Sequence, residues 1–272
     1  MVFTSGSGIK ETSQGKRMNF RVLGCYGGSM PGKFTTSFLL DEEIAIDGGA
    51  ISLALTLPEQ LKLRYVLLTH THIDHTYSLP FFVDNIFSRA KERGIKITIY
   101  SHKAAISALK EHLFNNSSWP DFTLIPEKNP LLNFVEIKEK EEFRIGEFTV
   151  TPIYVNHIIP TMGFLIDKGD KTAIFLGDTK ATKEIWKEAN GRRKIDVLFI
   201  ETSFPNRLKE LADRSGHLTP IGLAAELEKF QHRPRIIVYH QKPEYIKEIE
   251  EELSALGNPK LELARQGATY RF

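Results

Sequence analysis

The sequence contains a single cysteine, Cys25, among its 272 residues. One cysteine cannot form an intrachain disulfide, and it cannot supply the thiolate cluster that holds many structural metal ions. Any metal site in this chain must therefore be built from histidine and carboxylate side chains.

Long apolar stretches are also absent from the sequence. No uninterrupted apolar run approaches the length of a membrane span, and the N-terminus lacks the apolar segment of a signal peptide. Residues 1–17 are rich in Ser, Gly, Thr and Lys, so we expect a flexible leader or an expression-derived tail. These features predict a cytoplasmic protein with no membrane partner.

The chain has no strong excess of one charge. Its 36 Lys and Arg residues nearly balance its 34 Asp and Glu residues, which gives a formal net charge of +2. So small an excess gives no general attraction for polyanions, and any recognition of phosphate must be local. We expect no stable nucleic-acid partner.

Short apolar runs bounded by Gly, Pro or Asp predict strands along the chain, and helical periodicity appears between several of them. The predicted strands are 20–23, 37–40, 43–46, 65–69 and 96–100, then 134–137, 148–155, 163–167, 172–176, 197–201 and 236–239. The predicted helices are 80–93, 102–113, 182–189, 220–230 and 243–256. This order predicts an α/β fold, a four-layer αββα sandwich, with residues 18–272 as a single domain and a cleft between two similar halves.

Four potential metal ligands follow the apolar strand predicted at 65–69. Residues 70–75 read His-Thr-His-Ile-Asp-His. Alternate positions of an extended segment point the same way, so His70 and His72 can bind one metal ion, whereas Asp74 and His75 follow a turn and face a second. So many titratable groups beside a buried strand would be costly without a cation, which predicts a metal site.

This motif resembles the His-x-His-x-Asp-His signature of the metallo-β-lactamase superfamily, which it matches without substitution. The resemblance implies three later ligands at strand ends, namely a His, a bridging Asp and a final His, and His157, Asp178 and His240 follow predicted strands in that order. It thus implies one metal ion held by His70, His72 and His157, a second held by Asp74, His75 and His240, and Asp178 as the bridge.

The expected cofactors are two divalent metal ions. Imidazole and carboxylate ligands without thiolate suit Zn²⁺, Mn²⁺ or Fe, and we take Zn²⁺ as the first choice. Two such ions that share a hydroxide provide a nucleophile at neutral pH and can clamp the attacking and leaving oxygens of a phosphoryl displacement. We therefore expect a hydrolase, with Asp74 among its catalytic residues.

Later segments resemble the class II cyclic-nucleotide phosphodiesterases of the same superfamily. They are His-Leu-Phe-Asn-Asn at 112–116, Trp-Pro-Asp-Phe-Thr at 119–123, Ile-Glu-Thr-Ser-Phe-Pro-Asn at 200–206 and Gly-His-Leu-Thr-Pro at 216–220. The chain departs from the family pattern at Ser78, where a Gly is expected. The resemblance implies a phosphodiesterase that hydrolyses a small-molecule 3',5'-cyclic nucleotide, cAMP or cGMP, to a nucleoside 5'-monophosphate.

Glu201 and His217 correspond in position to a Glu–His dyad of the related tRNA-processing branch. We therefore expect Glu201 to orient His217, and His217 to stabilise or protonate the departing oxygen. A purely structural role for Glu201 stays open. His217 can also occupy the turn before a helix that Thr219 caps.

Three residues of the first half are candidates for substrate binding: Asn115, Trp119 and Asp121. Purines stack on aromatic faces, so Trp119 is expected to contribute to a nucleobase pocket. The alternative, that Trp119 packs in the core, stays open.

Two other functions remain as alternatives. A tRNA 3'-processing endonuclease would usually carry a basic arm between the equivalents of His157 and Asp178, but residues 158–177 suffice only for a hairpin. A non-hydrolytic diiron protein or metal sensor would usually have an acidic residue at a histidine of the first motif. The sequence leaves the oligomeric state open, including a homodimer.

Overall fold

A computed structural model describes residues 17–272, which form two seven-stranded sheets. The strands are β1 (Asn19–Gly24), β2 (Ser37–Leu40), β3 (Ile44–Ile46), β4 (Tyr65–Leu67), β5 (Ile97–Ser101), β6 (Leu132–Glu136), β7 (Phe143–Ile145), β8 (Phe148–Val155), β9 (Thr161–Lys168), β10 (Lys171–Phe175), β11 (Val197–Glu201), β12 (Arg235–Tyr239), β13 (Leu261–Leu263) and β14 (Thr269–Arg271). The first sheet has the order β14-β1-β2-β3-β4-β5-β6, and the second has the order β13-β12-β11-β10-β9-β8-β7.

The α-helices lie between the strands in sequence. They are α1 (Ile51–Ala54), α2 (Leu57–Gln60), α3 (Ile73–Thr76), α4 (Leu79–Arg93), α5 (Lys103–Ala108), α6 (Glu184–Asn190), α7 (Lys209–Ser215), α8 (Pro220–Glu228) and α9 (Ile246–Ala255). A π-helical turn, Leu109–Leu113, continues α5. Gly94 ends α4 with a φ of 63°, the left-handed conformation that glycine adopts without strain.

The two sheets pack face to face over an aromatic core. The buried ring of Phe38 on β2 lies 5.1 Å from that of Phe175, 5.4 Å from that of Phe199 and 5.3 Å from that of Tyr239, all on the second sheet. All three contacts have the edge-to-face geometry that aromatic pairs favour. These contacts fix the two sheets relative to each other.

Each sheet is covered on its outer face by helices. Phe82, Val83 and Ile86 of α4 are buried in one apolar cluster with strands of the first sheet, and Ile185 and Trp186 of α6 are buried in another with strands of the second. The architecture is therefore helix, sheet, sheet, helix, which confirms the αββα sandwich predicted from the sequence.

The differences from the predicted elements concern short segments. The strand predicted at 65–69 is regular only to Leu67. The sequence does not predict the strands β7, β13 and β14, because each is only three residues long and contains a charged residue, so that none forms an apolar run. The last of these pairs antiparallel with β1, so the end of the second half completes the first sheet.

Residues 1–16 lie outside the described residues, so the division into a leader of residues 1–17 and a domain of residues 18–272 stays a prediction. Among the described residues, no helix combines the length and the apolar character needed to cross a bilayer.

Truncation of Phe38 tests the aromatic core. We expect Phe38→Ala to lower the free energy of unfolding by about 3–5 kcal/mol, because a buried ring is removed and a cavity remains. The measurement is denaturant unfolding of the purified protein. The control is Leu53→Ala, since Leu53 is 46% exposed and should change stability by less than about 0.5 kcal/mol. Equal effects of the two changes would contradict this account of the core.

Candidate metal centre

The predicted ligands lie near the carboxyl ends of strands that run in the same direction within each sheet. In the first sheet β3 and β4 are parallel, and in the second β10, β11 and β12 are parallel. The strand β8 has the direction of β10, because both are antiparallel to β9. At or just beyond these strand ends lie Asp47 (β3), His70 (β4), His157 (β8), Asp178 (β10), Glu201 (β11) and His240 (β12).

His70, His72 and His157 form the first ligand group. The Nδ1 atom of His72 lies 3.0 Å from Nε2 of His70 and 3.2 Å from Nε2 of His157. The structure thus brings together the three histidines that the resemblance assigned to one metal ion.

Asp74, His75 and His240 form the second ligand group. The short helix α3 begins directly after His72 and places Asp74 and His75 beside His240. The Nε2 atom of His240 lies 3.2 Å from Nε2 of His75 and 3.2 Å from Oδ2 of Asp74. Close packing supports this position, because a Cβ atom on Gly27 would lie 2.6 Å from Nδ1 of His240.

Asp178 lies between the two groups. Its Oδ2 atom is 3.2 Å from Nε2 of both His75 and His240 and 3.7 Å from Nε2 of His70. The side chain is buried, yet neither oxygen accepts a hydrogen bond of normal geometry within the described part of the chain. A buried carboxylate in that condition is costly, and a cation would compensate it.

The opposite ring nitrogen of four of these histidines is held from outside the cluster. When this outer nitrogen carries the proton, the inner nitrogen keeps a free lone pair, which is the state of a metal-binding imidazole. The outer contacts are His70 Nδ1 to Thr69 Oγ1 (2.9 Å), His75 Nδ1 to Asp47 Oδ2 (2.7 Å), His157 Nδ1 to the Gly216 carbonyl (2.8 Å) and His240 Nδ1 to Ser203 Oγ (2.9 Å).

The pKa shifts of His70, His72 and Asp178 favour the protonation states of metal ligands. Burial lowers the pKa of His70 well below its usual value and that of His72 to about 4, so both rings are neutral near pH 7. Burial opposes ionisation of Asp178, but His240 and His75 hold the pKa of its carboxyl well below the usual range. Neutral imidazoles and an ionised carboxylate are the forms that bind divalent metal ions. The His/Asp cluster is therefore capable of binding metal.

Asp47 contacts a predicted metal ligand, a role that the sequence did not predict. Its buried carboxylate accepts hydrogen bonds from the Thr69 amide (2.8 Å), the Thr69 hydroxyl (3.0 Å) and Nδ1 of His75 (2.7 Å). It thus orients a ligand of the second group without belonging to that group. The available signal was an Asp directly after the apolar strand β3 and before two glycines. The backbone at Gly49 is crowded, since a Cβ atom there would lie 2.2 Å from the Asp74 carbonyl oxygen.

Glu201 and His217 form a hydrogen-bonded pair beside this cluster. Nδ1 of His217 lies 2.8 Å from Oε1 of Glu201, and both side chains are buried. The His217 ring lies 5.2 Å from the His240 ring and 5.1 Å from the His157 ring, between centroids. Burial would lower the pKa of His217, but the Glu201 carboxylate raises it above its usual value.

Thr219 caps α8 as expected, because its side chain accepts a hydrogen bond from the Gly222 amide.

Ser78 occupies the position at which the resemblance to the cyclic-nucleotide phosphodiesterases predicts a Gly. Its buried hydroxyl donates to the Gly48 carbonyl at 2.7 Å, directly before α4 begins. The substitution therefore adds a hydrogen bond between the start of this helix and the turn that follows β3 and Asp47.

The three candidate substrate-binding residues lie in turns after the π-helical segment. The Asn115 side chain donates to the Glu111 carbonyl and accepts from the Ser117 and Ser118 amides. Asp121 accepts from the Thr123 amide at 2.9 Å and from its hydroxyl at 2.6 Å. These hydrogen bonds shape the turns themselves.

Trp119 is partly buried and packs edge to face on Phe81, with 5.3 Å between the ring centroids. Its indole N–H has no hydrogen-bond acceptor among the described residues. The assignment of Asn115, Trp119 and Asp121 to substrate binding stays a prediction.

Comparison with known families places this fold and cluster in one class. A family described as "Beta-lactamase superfamily domain" matches residues 51–240, from α1 to the last ligand of the second group. The chain belongs to this family, has the metallo-β-lactamase fold and resembles the cyclic-nucleotide phosphodiesterases.

Curated relatives divide between two activities. Ribonuclease Z of Thermobifida fusca is 32% identical over 150 residues, which cover 55% of this chain and 44% of that protein. The 3',5'-cyclic-nucleotide phosphodiesterase 1 of Saccharomyces cerevisiae is 27% identical over 182 residues, which cover 59% of this chain and 48% of that protein. The chain thus spans less than half the length of each of these two relatives.

Solved structures support the same fold. The crystal structure of unliganded yeast PDE1 has a TM-score of 0.76 at 21% identity, over 93% of this chain and 98% of that one. The metallo-β-lactamase fold protein YhfI from Bacillus subtilis has a TM-score of 0.75 at 16% identity, over 94% and 99% of the two chains.

Replacement of Asp178 tests the need for a cation between the two ligand groups. Added Zn²⁺ at about 100 times its Kd should stabilise the chelator-treated wild type by about 2.7 kcal/mol. Asp178→Asn should lose most of this increment, because an amide carries no negative charge to compensate. The measurements are metal content by elemental analysis and thermal unfolding. The control is Asp213→Asn, at an exposed ion pair with Lys209. Full metal content and a full increment in Asp178→Asn would refute the assignment.

Asp74 and His75 should respond differently to truncation. We expect both Asp74→Ala and His75→Ala to impair metal binding by the second group and to reduce the turnover of phosphodiester substrates strongly. His75→Ala should also lower stability by roughly 1–3 kcal/mol, because the buried Asp47 carboxylate loses its hydrogen bond from the His75 ring. Asp74 is 19% exposed and should affect stability less. Turnover and denaturant unfolding of metal-replete variants provide the comparison. Near-native turnover in both variants would contradict a role for this group.

Proposed function

We propose that this chain is a metal-dependent phosphodiesterase that hydrolyses 3',5'-cyclic nucleotides to nucleoside 5'-monophosphates. The observation that carries the phosphodiesterase activity is the hydrogen-bonded Glu201–His217 pair, whose imidazole lies 5.1 Å from the His157 ring and 5.2 Å from the His240 ring, between centroids. A histidine in this position can supply a proton to a leaving group.

The proposed cofactors are two divalent cations, with Zn²⁺ as the first choice for this donor set. His70, His72 and His157 would hold one ion, Asp74, His75 and His240 would hold the other, and Asp178 would contribute to both. When bound, such ions supply Lewis acidity toward phosphoryl oxygens and activate water at neutral pH.

The hydrogen bond to Glu201 determines what His217 can do. Because Nδ1 of His217 donates to the Glu201 carboxylate, its Nε2 atom remains available to the substrate. The carboxylate also raises the pKa of His217, against the effect of burial, and so favours the protonated ring. Under this proposal, His217 donates a proton to the departing 3'-oxygen, and Glu201 stabilises the ring before and after transfer.

The shape of the chain supports a small substrate rather than a large RNA. Between His157 and Asp178 the backbone forms the tight hairpin of β9 and β10, which turns through Gly169 at a φ of 61°. Residues 158–177 carry no extended arm, and a net charge of +2 gives little general attraction for a polyanion.

An exposed apolar surface beside the second ligand group suits a nucleobase. Ile73, which lies between ligands His72 and Asp74, is 67% exposed, and Tyr77 and Phe81 follow at helical spacing, 46% and 43% exposed. Aromatic and aliphatic side chains at the edge of a polar site provide a surface for stacking a purine. Trp119 adjoins this surface through Phe81.

A substrate panel tests the proposed function against its main alternative, which the Ribonuclease Z relative favours. The metal-loaded protein is incubated with cAMP, cGMP, cyclic dinucleotides and an RNA with a 3' trailer, with Asp178→Asn as the inactive control. We expect the cyclic mononucleotides to be converted to 5'-monophosphates. Cleavage of the RNA alone would favour the endonuclease. Inertness toward every phosphodiester, with an absorbing iron centre, would favour the non-hydrolytic alternative.

Truncation of His217 tests the proton-donor role. We expect His217→Ala to lower kcat on cyclic nucleotides by roughly 10²–10⁴-fold with metal content unchanged, the usual scale for a lost general acid. An aryl phosphodiester with a better leaving group should lose much less, because its departure needs no proton. Equal losses on both substrates, or loss of metal, would withdraw the role.

A further inference from the structure

The hydroxyl of Ser203 contacts three side chains of the proposed active site. Ser203 lies two residues beyond the end of β11 and is fully buried. Its Oγ atom is 2.8 Å from Oε2 of Glu201, 2.9 Å from Nδ1 of His240 and 3.2 Å from Nδ1 of His217. It therefore contacts both members of the catalytic pair and one proposed metal ligand.

Counting protons around this hydroxyl assigns a direction to each hydrogen bond. His240 can bind a metal ion through Nε2, which faces Asp74 and Asp178, only if its proton is on Nδ1. That proton is donated to Ser203 Oγ, so the single hydroxyl hydrogen is free for Oε2 of Glu201. His217 donates to the other oxygen of the same carboxylate.

We propose that Ser203 is a positioning residue that couples the metal ligand His240 to the Glu201–His217 pair. The buried Glu201 carboxylate holds the proton of His217 on Nδ1 directly, and through the Ser203 hydroxyl it holds the proton of His240 on Nδ1. The ligand nitrogen of His240 and the proton-donating nitrogen of His217 are then both directed away from Glu201. This inference rests on the proposed function for the role of His217, but its metal-binding half is independent of the substrate.

The backbone around Ser203 is held without help from the hydroxyl. The Ser203 amide donates to the Leu218 carbonyl at 3.0 Å, and the Lys242 amide donates to the Ser203 carbonyl at 3.1 Å. These bonds connect the residue to the segments that carry His217 and His240. Removal of the hydroxyl should therefore leave the chain in place and change only the proton network.

The test compares Ser203→Ala with Ser203→Thr and with the control Ser101→Ala. Ser101 is also fully buried, but its hydroxyl donates to a backbone carbonyl, that of Leu68. We expect Ser203→Ala to weaken Zn²⁺ binding at one site by roughly 10- to 100-fold in chelator competition, the usual effect of losing an outer partner of a ligand. It should also lower kcat more than it raises KM. Ser203→Thr should restore both properties, and Ser101→Ala should keep them.

Histidine ¹⁵N spectra of the Zn²⁺-loaded wild type provide a measurement that needs no variant. We expect the protons of His240 and His217 on Nδ1. A His240 proton on Nε2, or metal binding by Ser203→Ala equal to that of Ser101→Ala, would overturn the proposal. These readouts stay decisive if the protein hydrolyses no cyclic nucleotide. In that event the proposed function fails while the coupling of Ser203 to His240 is still tested.

Discussion

The arrangement of the whole ligand cluster depends on one buried negative charge, that of Asp178. This carboxylate lies within 3.2 Å of two imidazole nitrogens, yet has no hydrogen bond of normal geometry among the described residues. Burying an ionised group is costly unless opposite charge compensates it, so the site requires a cation or a protonated ring. Without a metal ion, the ring of His75 can carry the compensating positive charge, because Asp178 and Asp47 raise its pKa well above the usual value despite burial. A bound metal ion would replace that proton, which makes occupancy and proton release linked events.

The fold meets this requirement with residues that directly follow strands and with the short helix α3. Each sheet contributes ligands just beyond its strands, and the aromatic core around Phe38 fixes the distance between the sheets. The outer partners of the rings come from the same strand ends, as with Asp47 after β3 and Ser203 after β11. The ligand atoms are thereby held near their positions before any ion arrives, which reduces the entropy lost on binding.

Much of the site could be predicted from the sequence because its chemistry is concentrated. The motif at 70–75 resembles a known family, that resemblance implies His157, Asp178 and His240 as further ligands, and the structure brings all of these side chains together. The roles of Asp47 and Ser203 could not be predicted, because a single Asp or Ser after a strand is common. Only their short distances to His75 and His240 distinguish them from other such residues. Asn115 and Asp121 illustrate the reverse problem. Their side chains carry the hydrogen bonds of their own turns, and short polar residues favour such turns whatever the function. The strand β14 could not be foreseen, because its pairing with β1 joins opposite ends of the sequence.

That pairing also determines when the first sheet can be completed. Met18 and Phe272 exchange backbone hydrogen bonds of 3.1 and 3.0 Å, so the outer edge of β1 is covered by a segment that is synthesised long after β1. While the chain emerges from the ribosome, β1 can pair with β2 but keeps a row of free amide and carbonyl groups on its other side. Contacts between such distant segments form slowly, and an uncovered strand edge is open to pairing with other chains. The outer edge of β1 is thus open to misassociation until β14 has been synthesised and has paired with it.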